Sequence, residues 1–158
     1  MKKMEFKIDY ALYPEGIPEE YRALCQAARA TVKQAYSVYS HFSVGAALLL
    51  DNGEVVRGSN QENVAYPSGL CAERVALFYA SSAFPGITVK ALAVAAESEG
   101  REPEEPITPC GACRQVMAEV IRRQRRDFDV ILIGRKSTLV VKAGDLLPFA
   151  FEIATNEP

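Results

Sequence analysis

The chain has 158 residues, a length that suits one compact domain, and its 49% hydrophobic and 24% charged residues form an ordinary globular balance. That is enough apolar material for a core that needs no disulfides. The formal net charge is −2, so a polyanionic nucleic acid, which draws a basic excess, is not the expected partner. No apolar run is long enough to span a bilayer, and two lysines near the start have no apolar stretch behind them, so a cytoplasmic location without membrane contact is expected.

Residues 1–17 alternate weakly through Phe6, Ile8, Tyr10 and Leu12 and end near Pro14 and Gly16, which reads as an extended N-terminal arm or edge strand. A single domain is expected over 18–158. From Pro18 the pattern turns helical, with Tyr21, Leu24, Cys25, Ala28, Val32 and Ala35 on one stripe. Phe42 to Leu50 alternates as a strand. Asp51-Asn52-Gly53 then supplies a tight hairpin turn, and Glu54 to Asn60 is the return strand. Leu70 to Ala83 is helical and apolar almost all round, as Val75, Ala76, Leu77, Phe78 and Tyr79 show, which points to burial on most sides and to subunit packing.

Val89 to Ala96 is a continuous apolar strand of the kind covered on both faces. An acidic loop follows over 97–106. Cys110 to about Gln124 forms a further helix, and Val130 to Ile133 and Leu139 to Val141 are two more strands. A short apolar tail holds Leu146, Leu147, Phe149 and Phe151. Five strands and three helices in this order predict an α/β domain with a mixed sheet and helices on both faces.

The four cysteines carry the chemistry. Cys110 and Cys113 form C-x-x-C, which suits a redox pair or half of a metal site. Cys71 also opens a predicted helix, and a redox pair needs no third cysteine. Three thiolates would leave one tetrahedral position on zinc for water, the catalytic arrangement. A closed structural site would need a fourth ligand, for which Cys25 and His41 are the spare candidates. Cys25, however, falls on an apolar helical stripe. Glu73 lies two residues from Cys71, where a carboxyl group can move protons for an attacking water. Arg74, next along an otherwise apolar helix, can donate to the cysteine sulfurs and drain charge from them.

Several stretches together resemble one family. Cys71-Ala72-Glu73-Arg74 and Pro109-Cys110-Gly111-Ala112-Cys113-Arg114-Gln115 resemble the two zinc motifs of cytidine deaminases. Tyr36 to Ala47 resembles their Y-S-x-Y-S-x-F-x-V-G-A-A stretch, with Val38 where a proline is common. Asn60 to Tyr66 resembles their N-x-E-N-x-x-Y segment, and Leu146-Leu147-Pro148 with Phe151 their C-terminal element. The likeness runs over about residues 18–152.

The resemblance implies a three-layer α/β/α fold with an about five-stranded sheet. It also implies one zinc per subunit and hydrolytic deamination of cytidine and deoxycytidine in pyrimidine salvage. By position it implies zinc on Cys71, Cys110 and Cys113, with Glu73 as the proton carrier. Phe42 would stack on the pyrimidine, Asn60 and Glu62 would bind the ribose, and Ala72 would hold the base through its backbone. Val64, Tyr66 and Phe151 would reach a neighbouring site in a homotetramer, and Arg74 and Gln115 would support the zinc ligands. Phe149 is a second aromatic candidate for the same reach. The rivals are a deaminase of polynucleotides, nucleoside analogues or antibiotics, and a non-catalytic zinc-stabilised binding module. The acidic charge opposes the first of these, the Asn60 and Glu62 pair the antibiotic substrate, and Glu73 the last.

Overall fold

The computed structural model describes residues 1, 3–14 and 16–153. Lys2, Glu15 and residues 154–158, which fall in the expected arm and at the end of the expected domain, lie outside the described residues. Strand β1 (Tyr10–Pro14) is followed by helix α1 (Arg22–Val32), strands β2 (Phe42–Leu50) and β3 (Val55–Ser59), and helix α2 (Ala72–Ala83). Strand β4 (Val89–Ser98), helix α3 (Gly111–Gln124) and strands β5 (Asp129–Ile133) and β6 (Ser137–Lys142) complete the order. The strands form one sheet in the order β1-β6-β5-β4-β2-β3.

The sheet is mixed for a simple reason. β2 and β3 are joined by the Asn52-Gly53 turn, in which Gly53 takes φ 86°, and β5 and β6 by a short turn, so both pairs run antiparallel. β4 and β5 are joined through α3, and that crossover makes them parallel. The sheet has six strands rather than about five. The extra strand is β1, from the segment read as an extended arm or edge strand; it is an edge strand, pairing antiparallel with β6 from Tyr10↔Val141 to Pro14↔Ser137. Sequence alternation shows that a segment is extended, but not which edge it joins.

Alternation across the sheet sorts its side chains into two cores. On one face Leu24, Cys25, Ala28 and Val32 of α1 meet Ala47, Ala91, Ala93, Ala95, Ile131 and Ile133. On the other, Ala72, Ala76, Leu77 and Ala80 of α2 and Cys113 and Met117 of α3 meet Ala46, Leu48, Val56, Leu92, Val94, Val130 and Leu132. This is the expected three-layer α/β/α arrangement. The expected α1 stripe overruns its helix at both ends, because Tyr21 lies in the short 3-10 turn before it and Ala35 beyond its close at Val32.

Small residues let the helices approach the strands closely. A Cβ added at Gly45 would lie 2.3 Å from the Ala28 carbonyl oxygen on α1. One added at Gly58 would lie 2.6 Å from both the Ala72 carbonyl oxygen and the Ala76 nitrogen on α2. Gly58 therefore sets the height of the first turn of α2 above the sheet, and that turn carries the functional residues.

Gly58→Ala should destabilise the protein by about 2–3 kcal/mol, because the clash is with backbone that cannot rotate away. Gly111→Ala, where an added Cβ meets nothing within 4 Å, should change stability by less than about 1 kcal/mol. Urea denaturation midpoints of the two variants provide the comparison.

Candidate active site

Two helices begin beside each other. Cys71 occupies the N-cap of α2 and Cys110 the N-cap of α3, and neither side chain caps its own helix. Their carbonyls start the helices instead, accepting from Val75 N at 3.1 Å and Arg114 N at 3.0 Å. The sulfurs are thus free to turn toward each other. Cys71 Sγ stands 3.7 Å from Cys110 Sγ, and Cys110 Sγ 3.5 Å from Cys113 Sγ. All three lie within 4.8 Å of one another.

This donor set fits zinc. Thiolates about 2.3 Å from a tetrahedral ion stand about 3.8 Å apart, close to the separations found. Among the described residues no histidine or carboxylate joins the cluster. His41 is exposed in a left-handed turn before β2, and Cys25 is fully buried in the α1 core. Neither supplies a fourth ligand, so the set is the three-cysteine one expected of a site open to water.

The surroundings favour a thiolate at Cys71. Both helix N-termini present positive dipole ends. Arg74 Nη2 donates to Cys71 Sγ at 3.9 Å, while its Nε is buried with no partner. The Cys71 thiol is drawn down to about 5, first by a hydrogen bond from Cys113, with Arg74 and Cys110 adding to it against burial. Cys113, which gives up that hydrogen bond and is itself buried, is pushed up.

Glu73 is buried beside this cluster on the first turn of α2. Burial pushes its carboxyl up, and the Cys71 charge adds to the shift. Its own backbone N–H, Cys113 and Arg74 offset part of it. A carboxyl group held above the ordinary glutamate range is suited to exchanging protons near neutral pH.

A cavity of about 330 Å³ opens onto these groups, lined by Phe42, Val44, Asn60, Cys71, Glu73 and Cys110 with Ile107 and Thr108. A second, about 530 Å³, shares Ser40, Asn60 and Cys71 with it and adds Glu62, Tyr66 and Arg74. Asn60 clamps the start of β2, its Oδ1 accepting from Val44 N at 2.7 Å and its Nδ2 donating to Phe42 O at 2.9 Å. Glu62 accepts from Tyr39 N at 2.8 Å and Ser40 N at 3.3 Å, which with the Ser40 hydroxyl holds its carboxyl below the ordinary range.

The remaining expected residues lie farther out. Ala72 is fully buried between Cys71 and Glu73 and lines neither cavity. Val64, Tyr66, Phe149 and Phe151 are exposed, with Tyr66 edge-on to Tyr39 at 5.8 Å. Gln115, which the resemblance places in support of the zinc ligands, binds the Phe151 backbone instead: Nε2 donates to its carbonyl at 2.8 Å and Oε1 accepts from its N–H at 3.0 Å. Sequence reasoning gave no role to Ser40, Ile107, Thr108 or Arg114, although Ser40 and Arg114 fall inside the motif stretches.

Metal analysis checks the ligand assignment. Cys25→Ala should keep one zinc per chain, and Cys71→Ala and Cys113→Ala should lose most of it. The reverse pattern would remove the assignment.

Residues 18–125 match the family described as the cytidine and deoxycytidylate deaminase zinc-binding region. A cytidine deaminase of Sporosarcina psychrophila is 47% identical over 121 residues, covering 75% of this chain and 82% of its own. One from Halalkalibacterium halodurans is 45% identical over 117 residues, covering 74% and 83%. The crystal structure of cytidine deaminase from Burkholderia pseudomallei superposes with a TM-score of 0.72 at 43% identity, over 85% of this chain and 100% of that one. The Mycobacterium tuberculosis enzyme follows at 0.66 and 34%, over 86% and 100%. With its three cysteines gathered at two helix starts and Glu73 beside them, the chain belongs to the cytidine and deoxycytidylate deaminase family.

Proposed function

We propose that the chain converts cytidine and deoxycytidine to uridine and deoxyuridine by hydrolysis, releasing ammonia. The observation that carries this reading is the buried carboxyl group of Glu73 in the same cavity wall as Cys71, Cys110 and Phe42. A non-catalytic zinc module has no use for a buried carboxyl group there.

Cys71, Cys110 and Cys113 would hold zinc, which when bound supplies Lewis-acid activation of a water molecule. Glu73 takes a proton from the attacking water and delivers it to ring N3. The water oxygen adds at C4, the carbon bearing the amine. Glu73 then takes the remaining proton from the new C4 hydroxyl and gives it to that amine, and ammonia leaves as the C4 carbonyl forms. Phe42, in the cavity wall, would stack on the base, and the Ala72 backbone would hold it. Asn60 lines both cavities and Glu62 the larger one, which supports their binding the ribose. The small cavity and the net charge of −2 favour a free nucleoside over a strand of nucleic acid.

The same reading makes the protein a cytoplasmic homotetramer. Three reduced cysteines as ligands suit a reducing compartment. Among the described residues no helix is long and apolar enough to cross a membrane. Phe78 and Tyr79 leave the outer face of α2 apolar and 49% and 60% exposed, a surface that subunit contact would cover. Val64, Tyr66 and Phe151, also exposed, are the residues that would reach a neighbour's site.

Ammonia release with loss of cytidine absorbance tests the activity. Glu73→Gln should retain zinc and fold but lose at least about a thousandfold in kcat; near-normal turnover would end the proposed proton route. Sedimentation equilibrium of the active protein should give four times the chain mass, and a fully active monomer would contradict the shared site.

A further inference from the structure

We propose that Arg114 is a positioning residue that ties the C-terminal segment to the loop carrying Cys110, so that Phe151 is held in register with the zinc site. Arg114 follows Cys113 directly on the first turn of α3. Its guanidinium reaches two separate segments of chain. Nε donates to the Pro109 carbonyl at 2.7 Å, one residue before Cys110, and Nη2 to the Thr108 hydroxyl at 3.3 Å in the cavity wall. Nη1 donates to the Leu146 carbonyl at 3.3 Å, at the start of the C-terminal segment.

The next residue completes the tie. Gln115 grips the Phe151 backbone through both ends of its amide. The segment is therefore pinned at Leu146 and at Phe151 by consecutive residues of one helical turn, the turn that also holds Cys113. On the outer side, the N-terminal segment covers the same place. Ile8 and Tyr10 share an apolar cavity of about 330 Å³ with Arg114, Leu146 and Pro148, and Phe6 packs edge-on against Phe149 at 4.9 Å. The N-terminal segment thus borders the tie, whose hydrogen bonds are charge-assisted. The two aromatics are held differently: Phe149 meets its own chain's Phe6, whereas Phe151 is gripped through its backbone by Gln115, and both rings stay exposed.

Lysine cannot reproduce this arrangement, since an ammonium is a point charge and the three acceptors need a planar fork. The inference rests on the proposed role of Phe151 at a substrate site. Loss of the tie should weaken ground-state and transition-state binding alike, which raises KM more than it lowers kcat.

The test uses the zinc-loaded full chain with Arg114→Gln and Arg114→Lys, read by zinc content, kinetics with cytidine and amide hydrogen exchange. Both variants should keep one zinc per chain. Arg114→Gln should raise KM about tenfold, the loss expected for a charge-assisted hydrogen bond, with kcat within about threefold of the parent. Arg114→Lys should recover part of that loss. Exchange should quicken at the amides of Leu147 and residues 149–151 in Arg114→Gln and stay unchanged in α1. Unchanged exchange in the C-terminal segment would overturn the tie whatever the kinetics. Faster exchange with an unchanged KM would overturn its link to substrate, and zinc loss from both variants would make Arg114 a support of the metal loop instead. If the parent itself does not deaminate cytidine, the proposed activity fails separately, and the exchange result still decides the tie.

Discussion

The site depends on two helices starting at the same place. α2 and α3 are separated in sequence by β4 and the acidic loop, yet their N-caps bring Cys71 and Cys110 sulfurs to 3.7 Å. Helix dipoles favour anions there by about 0.3–1 kcal/mol each, and the fold's task is to set positions. Gly58 lets α2 settle directly on β3, and the parallel β4–β5 pair fixes where α3 must cross. The acidic loop is fastened as well: Glu104 pairs with Arg135 and Lys136, and Ser137 donates to Glu105 at 2.9 Å. The chain that leaves this loop runs through Ile107 and Thr108 to Cys110.

Glu73 gains its chemistry from the same placement. On a solvated helix face a glutamate stays ionised. Here the helix presses its first turn into the core, and burial raises the carboxyl toward a range where it can both take and give protons. The walls of the cavity are held by backbone hydrogen bonds. Asn60 links β2 to the end of β3, and Glu62 gathers the Tyr39 and Ser40 amides. These polar residues thus shape the pocket whether or not a ligand is present.

Much of this was legible in the sequence, for identifiable reasons. Alternation marked β2 from Phe42 to Leu50, and the continuous apolar run marked β4 as a strand covered on both faces. Cysteine spacing with an adjacent glutamate pointed to zinc and proton transfer, and the resemblance named the family. What stayed hidden was partner choice. Nothing in residues 10–14 states that β6 is their neighbour. Nothing in Arg114 or Gln115 says that their side chains reach residues more than thirty positions away, Leu146 and Phe151. Long-range pairings of long polar side chains leave no period in a sequence. The Cys-Arg-Gln run was the available signal, and it was absorbed into the zinc motif.

The central claim joins one metal, one carboxyl group and one substrate at a single site. Metal-stripped protein titrated with zinc, while ammonia release from cytidine is followed, tests all three together. Activity should climb in proportion to added zinc and level off at one ion per chain. Full loading at Cys71, Cys110 and Cys113 without ammonia release, or turnover that needs no zinc, would contradict the account.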